Sequence, residues 1–151
     1  MKPVYTQEEV IENFQALIDS WDFSAELRQL GIGPMQLMRR RQMLLEFRGL
    51  LAGLWRLALT RSFPEDGQQI FEGYLESCLQ NPKNSRKARP FVERARQYAA
   101  MLAVRGDSDF SEVSRHVASF LKLSEVARKS TTFKLALDIR QMYTFVFDRM
   151  I

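Results

Sequence analysis

The chain has 151 residues, 46% hydrophobic and 26% charged, a composition that excludes disorder and fits one domain able to bury a core without metals or disulfides. Its formal net charge is +4, which conceals blocks of opposite sign. Its one cysteine, Cys78, excludes an intramolecular disulfide and a thiolate cluster within one chain, and suits a reducing compartment.

Met1-Lys2-Pro3-Val4-Tyr5 carries no apolar run and glutamates follow at once, so no signal peptide is read and the expected location is cytoplasmic. Thr6 and Glu9 make a Thr-x-x-Glu helix start, and Val10, Ile11, Phe14, Leu17, Ile18 and Trp21 recur at three- and four-residue steps. Leu30-Gly31-Ile32-Gly33-Pro34 is the strongest break in the chain. Pro34 suits the first position of a second helix, predicted to run to about Arg61. Met43, Phe47, Leu50, Leu51, Leu54, Trp55 and Ala58 give that helix a wide apolar arc. Glu46, Arg48 and Arg56 interrupt it and exclude a membrane span. Gly49 and Gly53, four residues apart, form a groove where a backbone can come close, either in a tight crossing within the chain or at a dimer seam.

Ser62-Phe63-Pro64-Glu65 reads as the start of a third helix, stopped by Asn81-Pro82. The polar, proline-bounded run 82–90 is predicted to be a loop, and a fourth helix is expected from Phe91 to about Val104. Asp109 and Glu112 announce a fifth helix, and a sixth is expected from Ser130 to Arg149 on the stripe Leu135, Ile139, Met142, Val146 and Met150, widened by Phe133, Leu137, Phe145 and Phe147. The expected fold is all-α, a single-domain antiparallel bundle of about six helices over residues 1–151.

Charge alternates with these elements. Residues 1–33 carry two basic and six acidic side chains, residues 34–63 six and one, residues 64–80 none and four, and residues 81–105 seven and one. Between helices one and three the signs read mainly as balance across neighbours. The loop Lys83, Arg86, Lys87, Arg89 and the cluster Arg39-Arg40-Arg41 are candidate contacts for an anionic partner, nucleic acid included.

No catalytic constellation emerges. His116, the only histidine, reads as a boundary side chain rather than a general base; no second histidine completes an E-x-x-H metal site; and Gly31-Ile32-Gly33 follows no strand that would make it a phosphate cradle. Cys78 reads as a small packing hydrophobe. Val117 to Lys129 resembles a helix-turn-helix, but Lys122 stands where such turns carry glycine and Arg128 where the second helix buries an apolar group, so no family is assigned. The expectation is therefore a non-enzyme with no cofactor, no metal and no evident small-molecule substrate. It would act as an adaptor, small subunit or regulatory chaperone, with Gly49, Gly53, Phe145, Phe147, Met150 and Ile151 as candidate interface and a homodimer as the simplest assembly. The alternative expectation is nucleic-acid binding.

Overall fold

A computed structural model describes residues 5–83 and 85–150; the candidate Ile151 lies outside them. Among the described residues there are seven helices and no strand. The helices are α1 (Gln7–Ser20), α2 (Ser24–Gln29), α3 (Leu37–Ser62), α4 (Gly67–Gln80), α5 (Ser85–Arg105), α6 (Ser111–Ala118) and α7 (Glu125–Asp148). Buried residues from all seven form one hydrophobic cluster. No helix of the described residues is long and apolar enough to cross a membrane.

α1 begins as its sequence predicts. Thr6 Oγ1 accepts a hydrogen bond from the Glu9 amide at 3.1 Å, and Val10, Phe14 and Ile18 are buried. The extra helix is α2, six residues long with Leu27 as its buried anchor. Gly31 sits at φ 77, while the amides of Ile32 and Gly31 donate back to the carbonyls of Leu27 and Arg28 at 3.0 Å each. This closes α2 in the two-bond cap that favours glycine. The glycine-rich break therefore ends a helix, and α3 starts at Leu37, three residues beyond Pro34.

Other predicted starts also shift. Ser62 ends α3 instead of capping α4, because the Phe63 amide continues the helical pattern to the Leu59 carbonyl at 2.7 Å. Gly67 then donates to Phe63 at 2.7 Å and opens α4 against α3, where a Cβ would meet the Leu59 oxygen at 2.8 Å. Asp109 accepts from the Ser111 amide at 2.9 Å, so α6 starts by this local turn and not by an Asp-to-Glu112 pair. α7 starts five residues before Ser130, with Ser124 Oγ accepting from the Ala127 amide at 3.2 Å.

The predicted loop 82–90 is overturned for most of its length. α5 begins at Ser85 and carries Pro90 inside it. Burial of Ala88, Phe91 and Val92 holds this end in helical form, despite a proline that lacks an amide proton.

The α3–α5 pair sets the register of the bundle. A Cβ on Gly49 would strike the Cβ of Arg94, and one on Gly53 would lie 2.9 Å from the Cβ of Tyr98. Both contacts advance in the same direction along both helices, so α3 and α5 run parallel in close apposition. α1 and α4 run against α3: Phe14 stacks on Trp55 at 4.1 Å, Tyr74 meets Trp55 edge-on at 5.3 Å, and Asp19 faces Arg48. The small-residue groove is thus filled by α5 of the same chain, which leaves Gly49 and Gly53 no surface for a dimer seam.

Candidate binding surfaces

Beneath the glycine crossing, Glu46 is fully buried. Its Oε1 accepts from the Tyr98 hydroxyl at 2.7 Å and its Oε2 from Arg94 Nε at 2.8 Å. Arg94 reaches in to this carboxylate, which holds its pKa above the ordinary value through that hydrogen bond. Burial first, and Glu46 second, raise the Tyr98 hydroxyl. Each Glu46 carboxylate oxygen is thus bonded from α5, and the triad locks the two helices together. Sequence reading took Glu46 only as an interruption of an apolar run. A glutamate three residues before a small-residue groove, with an arginine and tyrosine four apart on a later helix, is the signal that was there.

The same register gathers the basic candidates. Gly49 pairs with Arg94 and Gly53 with Tyr98, an offset of 45 residues, which brings the start of α3 level with the start of α5. Arg39, Arg40 and Arg41 in α3 and Arg86, Lys87 and Arg89 in α5, with Lys83 just before, therefore occupy one end of the bundle. All are exposed except Arg40, which is half-buried with an Nη at 3.5 Å from Ser24 Oγ. None makes an ion pair within 4 Å among the described residues. Neither helix has an acidic residue in its first turn, so both carry cations where the helix dipole is already positive. Arg40 and Arg28 contribute to holding the Asp22 carboxyl below its usual range, after the hydrogen bonds from Ser24.

At this end lie apolar side chains that sequence reading missed. Met35 is 90% exposed, Leu37 63% and Met38 86%, directly before the arginine cluster. Their signal was present: they precede the apolar arc of α3, out of phase with its buried stripe. The apolar candidates of the C-terminus divide differently. Met150 is buried, and Phe145 and Phe147 are partly exposed, at 36% and 42%. Phe145 packs edge-on to Trp21 at 4.9 Å and under the Arg149 guanidinium at 3.5 Å, and Phe147 leans on Tyr143.

His116 is half-buried between Tyr98 and Phe120 rings, with its Nε2 3.5 Å from the Gln97 side-chain amide. Cys78 is half-buried, and burial pushes its thiol up. Among the described residues, no three His, Cys, Asp or Glu side chains gather as a metal's ligands would. No family model matches the chain, and comparison finds no curated protein or solved structure similar to it.

Proposed function

We propose that this is a non-catalytic, cytoplasmic interaction protein that holds a partner protein by the end of the bundle where α3 and α5 begin. The observation that carries the reading is the exposure of Met35, Leu37 and Met38 beside Arg39, Arg40 and Arg41. Large apolar side chains left in water at one place mark association sites, and the adjoining cations favour a partner face that combines apolar and acidic groups. A helix-bundle adaptor or small subunit needs nothing more. The test is capture of a purified or crosslinked partner at low and high salt. Changing Met35, Leu37 and Met38 together to Ser should abolish capture at both salts, whereas Arg39→Gln with Arg41→Gln should weaken it most at low salt. Capture unaffected by the triple change sinks the proposal.

A second reading, nucleic-acid binding, is favoured by one observation: both basic clusters come to the same end, so a single backbone could reach Arg39, Arg40, Lys83, Arg86, Lys87 and Arg89. It requires mixed-sequence DNA or RNA to bind with affinity falling steeply as salt rises, unaltered by the Met-to-Ser changes and lost when Arg86, Lys87 and Arg89 become Ala. No shift of either nucleic acid at low salt removes it.

A further inference from the structure

Where α1, α3 and α4 meet the start of α5, the bundle does not close on apolar side chains. It leaves a cavity of about 650 Å³ that opens to solvent. Its volume lies in the size range of small-molecule sites. Its walls mix apolar side chains with polar ones, and carboxylates are few among them. Asp19 is the only carboxylate among the lining side chains. That carboxylate already accepts from Gln15 Nε2 at 2.9 Å and faces Arg48 at 3.9 Å, a long pairing between two well-exposed side chains. Lys87 has no ion-pair partner among the described residues. Asn81 uses its carbonyl oxygen to accept from the Lys83 amide at 3.1 Å, which leaves its side-chain N–H groups as donors.

Arg48 stands beside an aromatic face. Its guanidinium carbon lies 5.9 Å from the centre of the Phe91 ring, and Phe91 with Ala88 supplies an apolar floor beside it. Three elements thus bring an arginine, an ammonium and an amide to the lining of one space, with an aromatic face adjoining. A planar carboxylate can be satisfied by one arginine alone; donors carried on three elements around one space suit a tetrahedral anion. We infer that this cavity is a binding site for a small organic phosphate, its phosphate held by Arg48, Lys87 and Asn81 and its apolar or aromatic body resting on Phe91. The site goes beyond the partner-docking reading, since it uses none of Met35, Leu37, Met38 or Arg39 to Arg41.

Cys78, the single cysteine of the chain, stands in the cavity wall and serves as the reporter. The experiment follows its alkylation by iodoacetamide at mildly alkaline pH, with phenyl phosphate, adenosine monophosphate, inorganic phosphate or adenosine added. A phosphate ester should slow alkylation in a saturable way, inorganic phosphate should do so only at higher concentration, and adenosine should have no effect. Arg48→Gln should raise the ester concentration needed by about tenfold or more, as expected for loss of a charge-assisted hydrogen bond. Arg40→Gln, at the docking end but outside the cavity, should not change it, so failure here is separable from failure of the docking proposal. If Arg48→Gln loses its helical circular dichroism, Lys87→Gln on an exposed position carries the same test. Absence of protection by every ester, equal protection by adenosine, or protection unchanged in the folded variants overturns the inference.

Discussion

Glu46 shows how one side chain can tie two helices together and also make them vulnerable. Its carboxylate is fully buried while Arg94 keeps 31% of its side chain in water, so removing either partner has unequal consequences. Arg94→Met strands a buried charge with only Tyr98 to bond it and should cost about 3–5 kcal/mol. Glu46→Gln leaves an exposed-edged arginine that water can serve, and should cost about 1–3 kcal/mol. Urea unfolding of the two variants checks the order; equal losses would contradict it. Gly53→Ala gains helix propensity of about 1 kcal/mol, yet must push Tyr98 away, and the overpacking should leave it net destabilised by about 1–2 kcal/mol in the same measurement. Asp138 works in the opposite sense. Burial raises its carboxyl above the ordinary value, so the native state binds that proton more tightly than the unfolded chain does. Its contribution is favourable below the ordinary carboxylate range and is lost as pH climbs through the raised value. Asp138→Asn should therefore stabilise the protein at neutral pH, with the gain shrinking as pH falls toward about 4. Asp22 and Asp109, lowered by hydrogen bonds from Ser24 and Ser111, tilt the other way and are unaffected by that change.

Among the helices, the starts of α3 and α5 are set against their own electrostatics. Arg39 and Arg86 lie in or beside first turns that have no acidic residue. Arg39→Glu or Arg86→Glu should each stabilise the fold by about 0.3–1 kcal/mol in thermal melts while weakening partner capture. A variant that gained stability and kept its partner would separate these residues from function. The helices most legible in the sequence were those with long stripes: α1 through Val10, Phe14 and Ile18, α3 through its apolar arc, and α7 through Leu135 to Val146. α2 was not, because six residues with one buried leucine show no periodicity to read. The front of α5 was misread for a different reason. Pro90 and its basic neighbours carry the local signature of a loop, and only the docking of Ala88, Phe91 and Val92 onto the core overrides it.

Across the whole molecule, the identities of the charged candidates were legible while their company was not. Arg39 to Arg41 and Lys83 to Arg89 stand some 45 residues apart, and the only thing that brings them level is the parallel register fixed where Gly49 and Gly53 admit Arg94 and Tyr98. That is a long-range fact, invisible to patterns of three or four residues. Charge balance between neighbours does occur along the flanks, as Arg96 with Glu72 at 3.0 Å and Arg48 with Asp19, whereas at the end where α3 and α5 begin none of the basic candidates makes an ion pair within 4 Å among the described residues. Association through that end should show its salt dependence in the on-rate far more than in the off-rate, measurable by surface-immobilised partner at two ionic strengths. A salt effect confined to dissociation would place the charges inside the contact instead of around it.

The parallel pairing of α3 and α5 has one more consequence. α1 and α4 run against α3, so the acidic starts of those helices, Glu8 and Glu9 in one and Glu65 and Asp66 before the other, fall at the far end of the bundle. Acidic groups thus gather at the starts of α1 and α4 and the basic candidates at the opposite end, where α3 and α5 begin, an asymmetry that the net +4 conceals. A partner of opposite sign would feel that difference at a distance, and its field would favour encounters that begin with the basic end forward.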